Sequence, residues 1–355
     1  MTNPLLASCP APATQSDRVL LGHGSGGQLM AELLRDVIAP HLCAPIEDAA
    51  VVPFAGIEAV LSTDGFVVTP RFFPGGDIGS LAVYGTVNDL AMRGAEPVAL
   101  CLAYLLEEGL DTAELRKVTA SVAAAARTVG VPVVTGDTKV VGRGAGDGIY
   151  ITTTGLGRRL PGADVSAVRG RPGDVVVLSG PIGCHGTAIL SAREGLDLEM
   201  GGTGFGIESD IVSDSRPLHG LVAAMIAAGG PDVHALRDPT RGGLASALNE
   251  LAAASRVGID IEEAAVPVPA AVTAACELLG LDVLHVANEG CLVALVAPGR
   301  VDRVLAAMLE RPEGSGARTI GEVVSGPAGR VTARTLVGAR RIVDMLVGEQ
   351  LPRIC

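Results

Sequence analysis

"PVALCLAYLLEEGLDTAELRKVTASVAAAARTVGVPVVTGD" occupies residues 97–137. It opens on an apolar run (97–106), continues through a stretch of helical periodicity (111–129) and closes on a second apolar run (131–137). Short apolar runs bounded by turn residues read as strands, and the amphipathic stretch between them reads as a helix. The same alternation extends outward. Upstream lie a strand in "AVLSTDGFVVT" (59–69) and a helix around 79–93; downstream lies a strand in "GIYITTTGLG" (148–157). Strand–helix alternation of this kind predicts an α/β or α+β fold.

A Gly-, Pro- and Arg-rich stretch, "GRRLPGADVSAVRGRPGD" (157–174), interrupts the pattern, and the domain boundary is placed within it, at 165/166. The second half restarts with the strand "DVVVLSG" (174–180). It continues with helices in "HGTAILSAREG" (185–195), "RPLHGLVAAMIAAG" (216–229) and "RGGLASALNELAAAS" (241–255), then a strand in "CLVALVA" (291–297). Residues 201–215, rich in Gly and Ser, are expected to form a mobile loop. The division is a loose leader (1–17), an N-terminal domain (18–165), a C-terminal domain (166–345) and a mobile tail (346–355). At 355 residues, two domains accord with ordinary domain sizes.

Composition excludes several function classes. Aromatics make up 2% of the chain, Trp is absent and the formal charge is −12. Neither base stacking nor a broad basic face is on offer, so no nucleic-acid partner is expected. The leader lacks the charged and apolar regions of a signal peptide, and no segment reads as a membrane span, so a cytoplasmic location and no membrane contact are expected. The seven cysteines, odd in number and without a CxxC pair, fit a reducing compartment.

"GHGSGG" (22–27) matches the letters of a dinucleotide fingerprint and precedes the helical "QLMAELLRDVI". Glu47 and Asp48 come before the next apolar run, not after it, which is the wrong place for a ribose-binding acid. What survives is a Gly-rich loop whose backbone N–H groups can approach a phosphate, or else a plain flexible loop. Asp48, Asp64, Asp89 and Asp137 each stand where an expected element meets small residues. Singly they read as caps or turn residues; as a set they suit a hard cation such as Mg²⁺ carrying a nucleotide.

Lys139 in "GDTKVVGRG" and Asp238, Thr240 and Arg241 in "DPTRGGL" suit an anionic ligand. Glu289 in "VANEGCL" reads equally as a proton acceptor or a solvated turn acid. His23 lies in the Gly-rich loop, while His185, His219, His234 and His285 are dispersed with no metal-ligand spacing, and most are expected to be structural. Cys184 and Cys291 are expected to be buried free thiols.

The chain ends in "LPRIC" (351–355). Prenylation needs a Cys fourth from the end, so Cys355 is not a lipid anchor. Pro352, Arg353 and Ile354 describe a short extended arm able to enter a cleft carrying a group on the Cys355 sulfur.

"HGSGG", "DAAVV", "STDGFVVTP", "GGDIGSLAVYGTVNDLAMRGAEP", "TGDTKVV", "DPTRGGLA", "NEG" and the terminal "PRIC" together resemble the HypE family of hydrogenase-maturation proteins. That family is a branch of the ATP-binding superfamily of aminoimidazole ribonucleotide synthetase, and the resemblance runs from about residue 18 to residue 355. It implies a two-domain fold and a homodimer formed through the N-terminal domain. It also implies ATP-dependent dehydration of a carbamoyl group carried on Cys355 to a thiocyanate. HypF would supply the carbamoyl group, and a HypC–HypD complex would accept the cyanide destined for hydrogenase iron.

Carried onto this chain, the resemblance places Gly24, Ser25, Gly26, Gly27, Asp238, Thr240 and Arg241 around the ATP phosphates. Asp48, Asp64 and Asp89, with Asp137 as a further candidate, would surround Mg²⁺. Lys139 would neutralise the phosphoryl group in transit, and Glu289, with Asp137 as substitute, would accept a proton. Two rival readings are a superfamily kinase or synthetase acting on a free small molecule, and a thiol carrier without catalysis.

Overall fold

The computed structural model describes residues 18–41, 47–194, 211–348 and 353–355. The 97–137 stretch folds as read. Asp111 caps the helix between the two strands by accepting from Ala113 N at 2.8 Å, and Gly130 ends it in the left-handed region at φ +77. That helix buries Val118, Val122, Ala125, Ala126 and Val129, the apolar stripe of a 3.6-residue repeat. The strands on either side pair in parallel, which a helical crossover permits and a tight turn would not.

In the N-terminal half the strands are β1 (Ala50–Phe54), β2 (Ile57–Phe66), the short β3 (Phe72–Phe73) and β4 (Gly76–Asp77), β5 (Ala95–Glu107), β6 (Val133–Val141) and β7 (Ile149–Arg159). The helices are α1 (Gln28–Leu33), α2 (Ile78–Met92) and α3 (Thr112–Val129). Five strands form one sheet in the order β1-β2-β7-β5-β6. Its inner face packs on α2, whose Ile78, Leu81, Ala82, Val83, Val87 and Leu90 are fully buried. Leu61, Val98, Leu105 and Leu156 are exposed large apolar residues of this sheet's strands. The strand expected over 59–69 leaves the sheet after Phe66, because Val67 and Thr69 pair with the end of the chain instead.

The C-terminal half contributes β8 (Val175–Leu178), β9 (Val233–Arg237), β10 (Gly258–Glu262), β11 (Val293–Val296), β12 (Arg318–Val324), β13 (Val331–Arg334) and β14 (Arg340–Ile342). Its helices are α4 (Cys184–Glu194), α5 (His219–Gly229), α6 (Gly243–Ser255), α7 (Ala270–Leu279) and α8 (Val301–Leu309). The strands form a seven-stranded sheet in the order β14-β13-β10-β12-β8-β11-β9. One core cluster joins Ala91 and Met92 of α2 to Leu221, Val222 and Met225 of α5, so α2 is packed between the two halves. Among the described residues no helix is long and apolar enough to cross a membrane.

Residues 201–210 of the expected mobile loop lie outside the described residues. The remainder, 211–215, is pinned: Ser213 N donates to Pro74 O at 2.8 Å, and Asp214 accepts from Glu289 N and Gly290 N at 3.1 and 3.0 Å. Partners distant in sequence order this part of the segment.

Candidate active site

α2 is anchored at its start by Asp77, which accepts from Gly79 N and Ser80 N at 2.7 and 3.1 Å. Further along, Asn88 accepts from Leu218 N at 2.8 Å and donates to Arg216 O at 3.1 Å, so the helix is locked to the C-terminal half. The next residue, Asp89, thereby has a fixed direction. Carboxylate oxygens of Asp48, Asp89 and Asp238 all lie within 4.8 Å of one another. The Ser62 hydroxyl donates to Asp89 Oδ2 at 2.7 Å. Arg237, at the end of β9, pairs with Asp48 at 2.6 Å and with Glu250 on its other side.

Burial raises all of these acids above the ordinary carboxylate value. Asp238 is pushed up to about 7, by burial first and then by Asp48, with Arg237 opposing. Asp89 stands well above its ordinary value through burial and the charges of Asp238, Asp48 and Asp64. Asp48 is raised by burial against the pull of Arg237. Like charges held this close favour either retained protons or a cation, and oxygen donors suit a hard divalent one. The tight set thus contains Asp238, which was expected among the phosphate contacts. Asp64 stands beside the trio, its charge felt by Asp89 and Asp238 and its carboxyl raised by burial against Arg241.

The Gly-rich loop and the "DPTRGG" turn lie on each other. Arg241 Nη1 donates to Gly24 O at 3.3 Å. Gly26, at φ +73, leaves no room for a Cβ, which would stand 2.6 Å from Arg241 Cβ. Gly26, Gly27, Asp238, Thr240 and Arg241 line one cavity of about 320 Å³, large enough for a small ligand. Ser25 turns its hydroxyl back to Gly22 O at 2.7 Å. A larger cavity, about 1160 Å³, lies between α3 and β6; of the expected site residues only Asp137 borders it, and no acidic cluster converges there.

The last three residues enter the same region. Val67 N donates to Cys355 O and Thr69 N to Arg353 O, each at 3.1 Å, and Arg353 Nε returns a bond to Val67 O at 3.2 Å. His185 Nε2 lies 2.7 Å from Ile354 O, and Arg193 contacts both Thr69 O and Arg353 O. Ile354 is 2% exposed and Cys355 8%. Ordering three residues costs about 3–6 kcal/mol. Burying the Ile354 side chain offsets about 2–3 kcal/mol, and each hydrogen bond adds about 1 kcal/mol. The five hydrogen bonds and the buried Ile354 side chain together outweigh that cost, so the last three residues are held in the site.

Burial pushes the Cys355 thiol up to about 12; Arg241 opposes this, and Glu289, Asp64 and Asp238 add to it. These same groups surround the sulfur closely enough to feel its charge. Glu289, 4% exposed, is raised well above its ordinary value by burial and by Asp238 and Asp214. The solvated-turn reading of Glu289 is thus wrong. Its loop is held from behind: Asn288 donates to Pro239 O at 2.9 Å and accepts from Gly183 N at 2.6 Å.

Lys139 and Asp137 do not join this site within one chain. β6 is the edge strand, and register aligns Asp137 with Ala103, Thr152 and Gly65, three strand spacings or about 14 Å across. The two side chains, 71% and 61% exposed, pair with each other at 2.9 Å on the face opposite α2. Lys139 and the Thr138 N–H hold the Asp137 carboxyl below its ordinary value, so it stays ionised and is a weak base; its edge-strand position leaves it outside the acidic cluster within one chain. His185 and Arg237 had gone unmarked as site residues, because neither belongs to a spaced motif. His234 pairs with Asp174 in the core, as expected of a structural residue.

The AIR synthase related protein families match this chain in both halves, the N-terminal domain over residues 46–159 and the C-terminal domain over 171–334. The carbamoyl dehydratase HypE of Azotobacter vinelandii is 52% identical over 337 residues, covering 94% of this chain and 96% of that protein. A crystal structure of the hydrogenase maturation protein HypE in complex with ATP has a TM-score of 0.78 at 46% identity, covering 95% of this chain and all of the other. The HypE–HypF complex structure matches with a TM-score of 0.81 at 44% identity, covering 88% of this chain and 99% of the other. Identity at this level along nearly the whole chain, over a fold that ends in a seated terminal cysteine, means that the chain belongs to the HypE family of carbamoyl dehydratases.

Proposed function

We propose that this chain dehydrates a carboxamide carried on the Cys355 sulfur. The balanced reaction converts S–C(=O)–NH₂ and ATP into S–C≡N, ADP and phosphate. The observation that carries this reading is the Cys355 side chain itself, buried within electrostatic reach of Arg241, Glu289 and Asp238, the last a member of the acidic cluster that asks for a cation. ATP supplies the phosphoryl group that turns the amide oxygen into a leaving group, and a magnesium ion would spread the charge of that transfer.

This chain's residues do the rest. Asp48, Asp89 and Asp238 would hold the metal, with Asp64 alongside. Gly24 to Gly27, Thr240 and Arg241 would receive the phosphates. Glu289, buried and raised well above its ordinary value, accepts a proton from the amide nitrogen as the triple bond forms. The seated tail keeps water from the activated carbon.

Residues 18–165 would bind nucleotide and dimerise, 166–345 would complete the site, and 346–355 would shuttle the sulfur. The solved HypE–HypF complex supports HypF as a partner, and HypF would supply the carbamoyl group. A HypC–HypD complex in the cytoplasm would accept the cyanide. Exposed Leu61, Leu105 and Leu156 lie on the sheet face opposite α2 and suit a second copy of this chain. Lys139 shares that face, so its route to a phosphoryl group would run through the dimer partner.

Intact-protein mass spectrometry tests the reading. The S-carbamoylated chain should lose the mass of one water on adding ATP and magnesium, and keep its mass without ATP. Turnover of a free small-molecule substrate, with the carbamoylated chain unchanged, would assign it instead to the kinase and synthetase branch.

Protons and magnesium should compete for the acidic cluster. With Asp238 raised to about 7 and its neighbours also raised, the folded chain holds protons that bulk carboxylates would have lost. Magnesium affinity is therefore expected to rise as pH increases through about 7, with proton release on binding. Calorimetry in buffers of differing ionisation enthalpy measures both; affinity flat with pH and no proton release would contradict the site.

A further inference from the structure

We propose that His185 is a positioning residue that seats the reacting tail by donating to the main-chain carbonyl of Ile354, with Ser213 setting its tautomer. His185 is fully buried, at the start of α4. Its Nε2 lies 2.7 Å from Ile354 O, and a carbonyl only accepts, so the proton is on Nε2. Nδ1 is then an acceptor, and at 2.8 Å the Ser213 hydroxyl donates to it. Ser213 Oγ in turn accepts from Ser215 N at 3.1 Å. The imidazole stands edge-on to Phe73, centroids 5.5 Å apart, so its plane is fixed as well. A Cβ at Gly186 would stand 2.5 Å from Val286 Cγ1 and 3.3 Å from Ile354 Cδ1, so the glycine lets α4 pack close to both.

This bond is made to backbone, not to the Cys355 side chain. It is therefore indifferent to what the sulfur carries, and the same donor holds the tail as thiol, carboxamide or thiocyanate. The neighbouring Asp214 holds Glu289 N and Gly290 N. Two adjacent residues thus place both reactants: Ser213 places the tail through His185, and Asp214 places the proton acceptor through its loop. A positioning role rests on the dehydratase reading for its purpose, but seating itself is measurable without turnover.

The test uses the full chain and two variants. His185→Phe keeps a ring against Phe73 but has no donor, and His185→Gln retains a donor. N-ethylmaleimide labelling, quantified for each cysteine by peptide mass spectrometry, reports seating of Cys355. Buried Cys276 and Cys291 report that the fold is intact. His185→Phe is expected to raise the labelling rate of Cys355 about 10-fold, equivalent to about 1.4 kcal/mol. It should also lower kcat with the KM for ATP unchanged, and His185→Gln should recover most of both.

Should His185→Phe expose Cys276 or Cys291, Ser213→Ala takes its place. It removes the tautomer-setting donor while leaving the ring packed, and at least a several-fold rise in Cys355 labelling is expected. Unchanged Cys355 labelling in a folded variant lacking the donor overturns the proposal. If labelling responds while the unaltered carbamoylated chain forms no thiocyanate, seating stands and the dehydratase reading fails.

Discussion

A Cys355→Ala chain is expected to form no thiocyanate at all while still binding ATP. The sulfur is the attachment point of the reacting carbon, so its removal deletes the substrate and not merely a contact to it. Nothing else among the site residues can substitute: Cys291 is buried behind the Glu289 loop, with its thiol raised well above the ordinary value by burial and by Asp214. The cavity lined by Gly26, Gly27, Asp238, Thr240 and Arg241 does not include Cys355. Nucleotide affinity should accordingly change less than threefold. Nucleotide titration beside product mass spectrometry separates the two readouts. A variant that still delivers cyanide would remove the basis for a self-carried substrate, and one that loses ATP binding equally would make Cys355 structural.

Replacing the carboxyl of Glu289 should be nearly as damaging. Glu289→Gln keeps side-chain volume and leaves the two main-chain bonds to Asp214 in place, but the amide cannot take a proton. Loss of a positioned general base lowers rates by about 10²–10⁴, with ATP affinity retained. The sign of the pH dependence follows from the raised Glu289 carboxyl. At low pH it is protonated and idle, so the rate of the unaltered chain should climb as pH rises toward the folded-state value. That rising limb should vanish in Glu289→Gln. Single-turnover rates across pH provide the measurement, and a variant within threefold of the original at every pH would relieve Glu289 of the role.

The element pattern was legible where runs were long. The 97–137 unit and α2 were read within a few residues, because extended apolar periodicity reflects burial directly. The strands at Gly258–Glu262, Val331–Arg334 and Arg340–Ile342 were not, since three to five residues carry too few turns of any period to distinguish strand from loop. The meeting of the Gly-rich loop with the "DPTRGG" turn around one cavity was legible for a different reason. Glycines and an acid, a hydroxyl and a cation clustered in a short motif describe a local shape, and the motif brings its own geometry.

Asp137 and Lys139 show the limit of that logic. "GDTK" looks like "DPTR" in residue type, yet strand order sends one motif to the sheet edge and the other to the acidic cluster. Sequence alone determined the alternating fold, the carboxylate inventory and a terminal thiol on a short arm, because each depends on neighbours in the chain. Which acids meet, which histidine touches Ile354 and which lysine faces away were decided only by tertiary structure. Those pairings join residues far apart in the chain, His185 and Ile354 by 169 positions and Asp48 and Asp238 by more still, and no local periodicity encodes the packing of one sheet and one buried helix that brings them together.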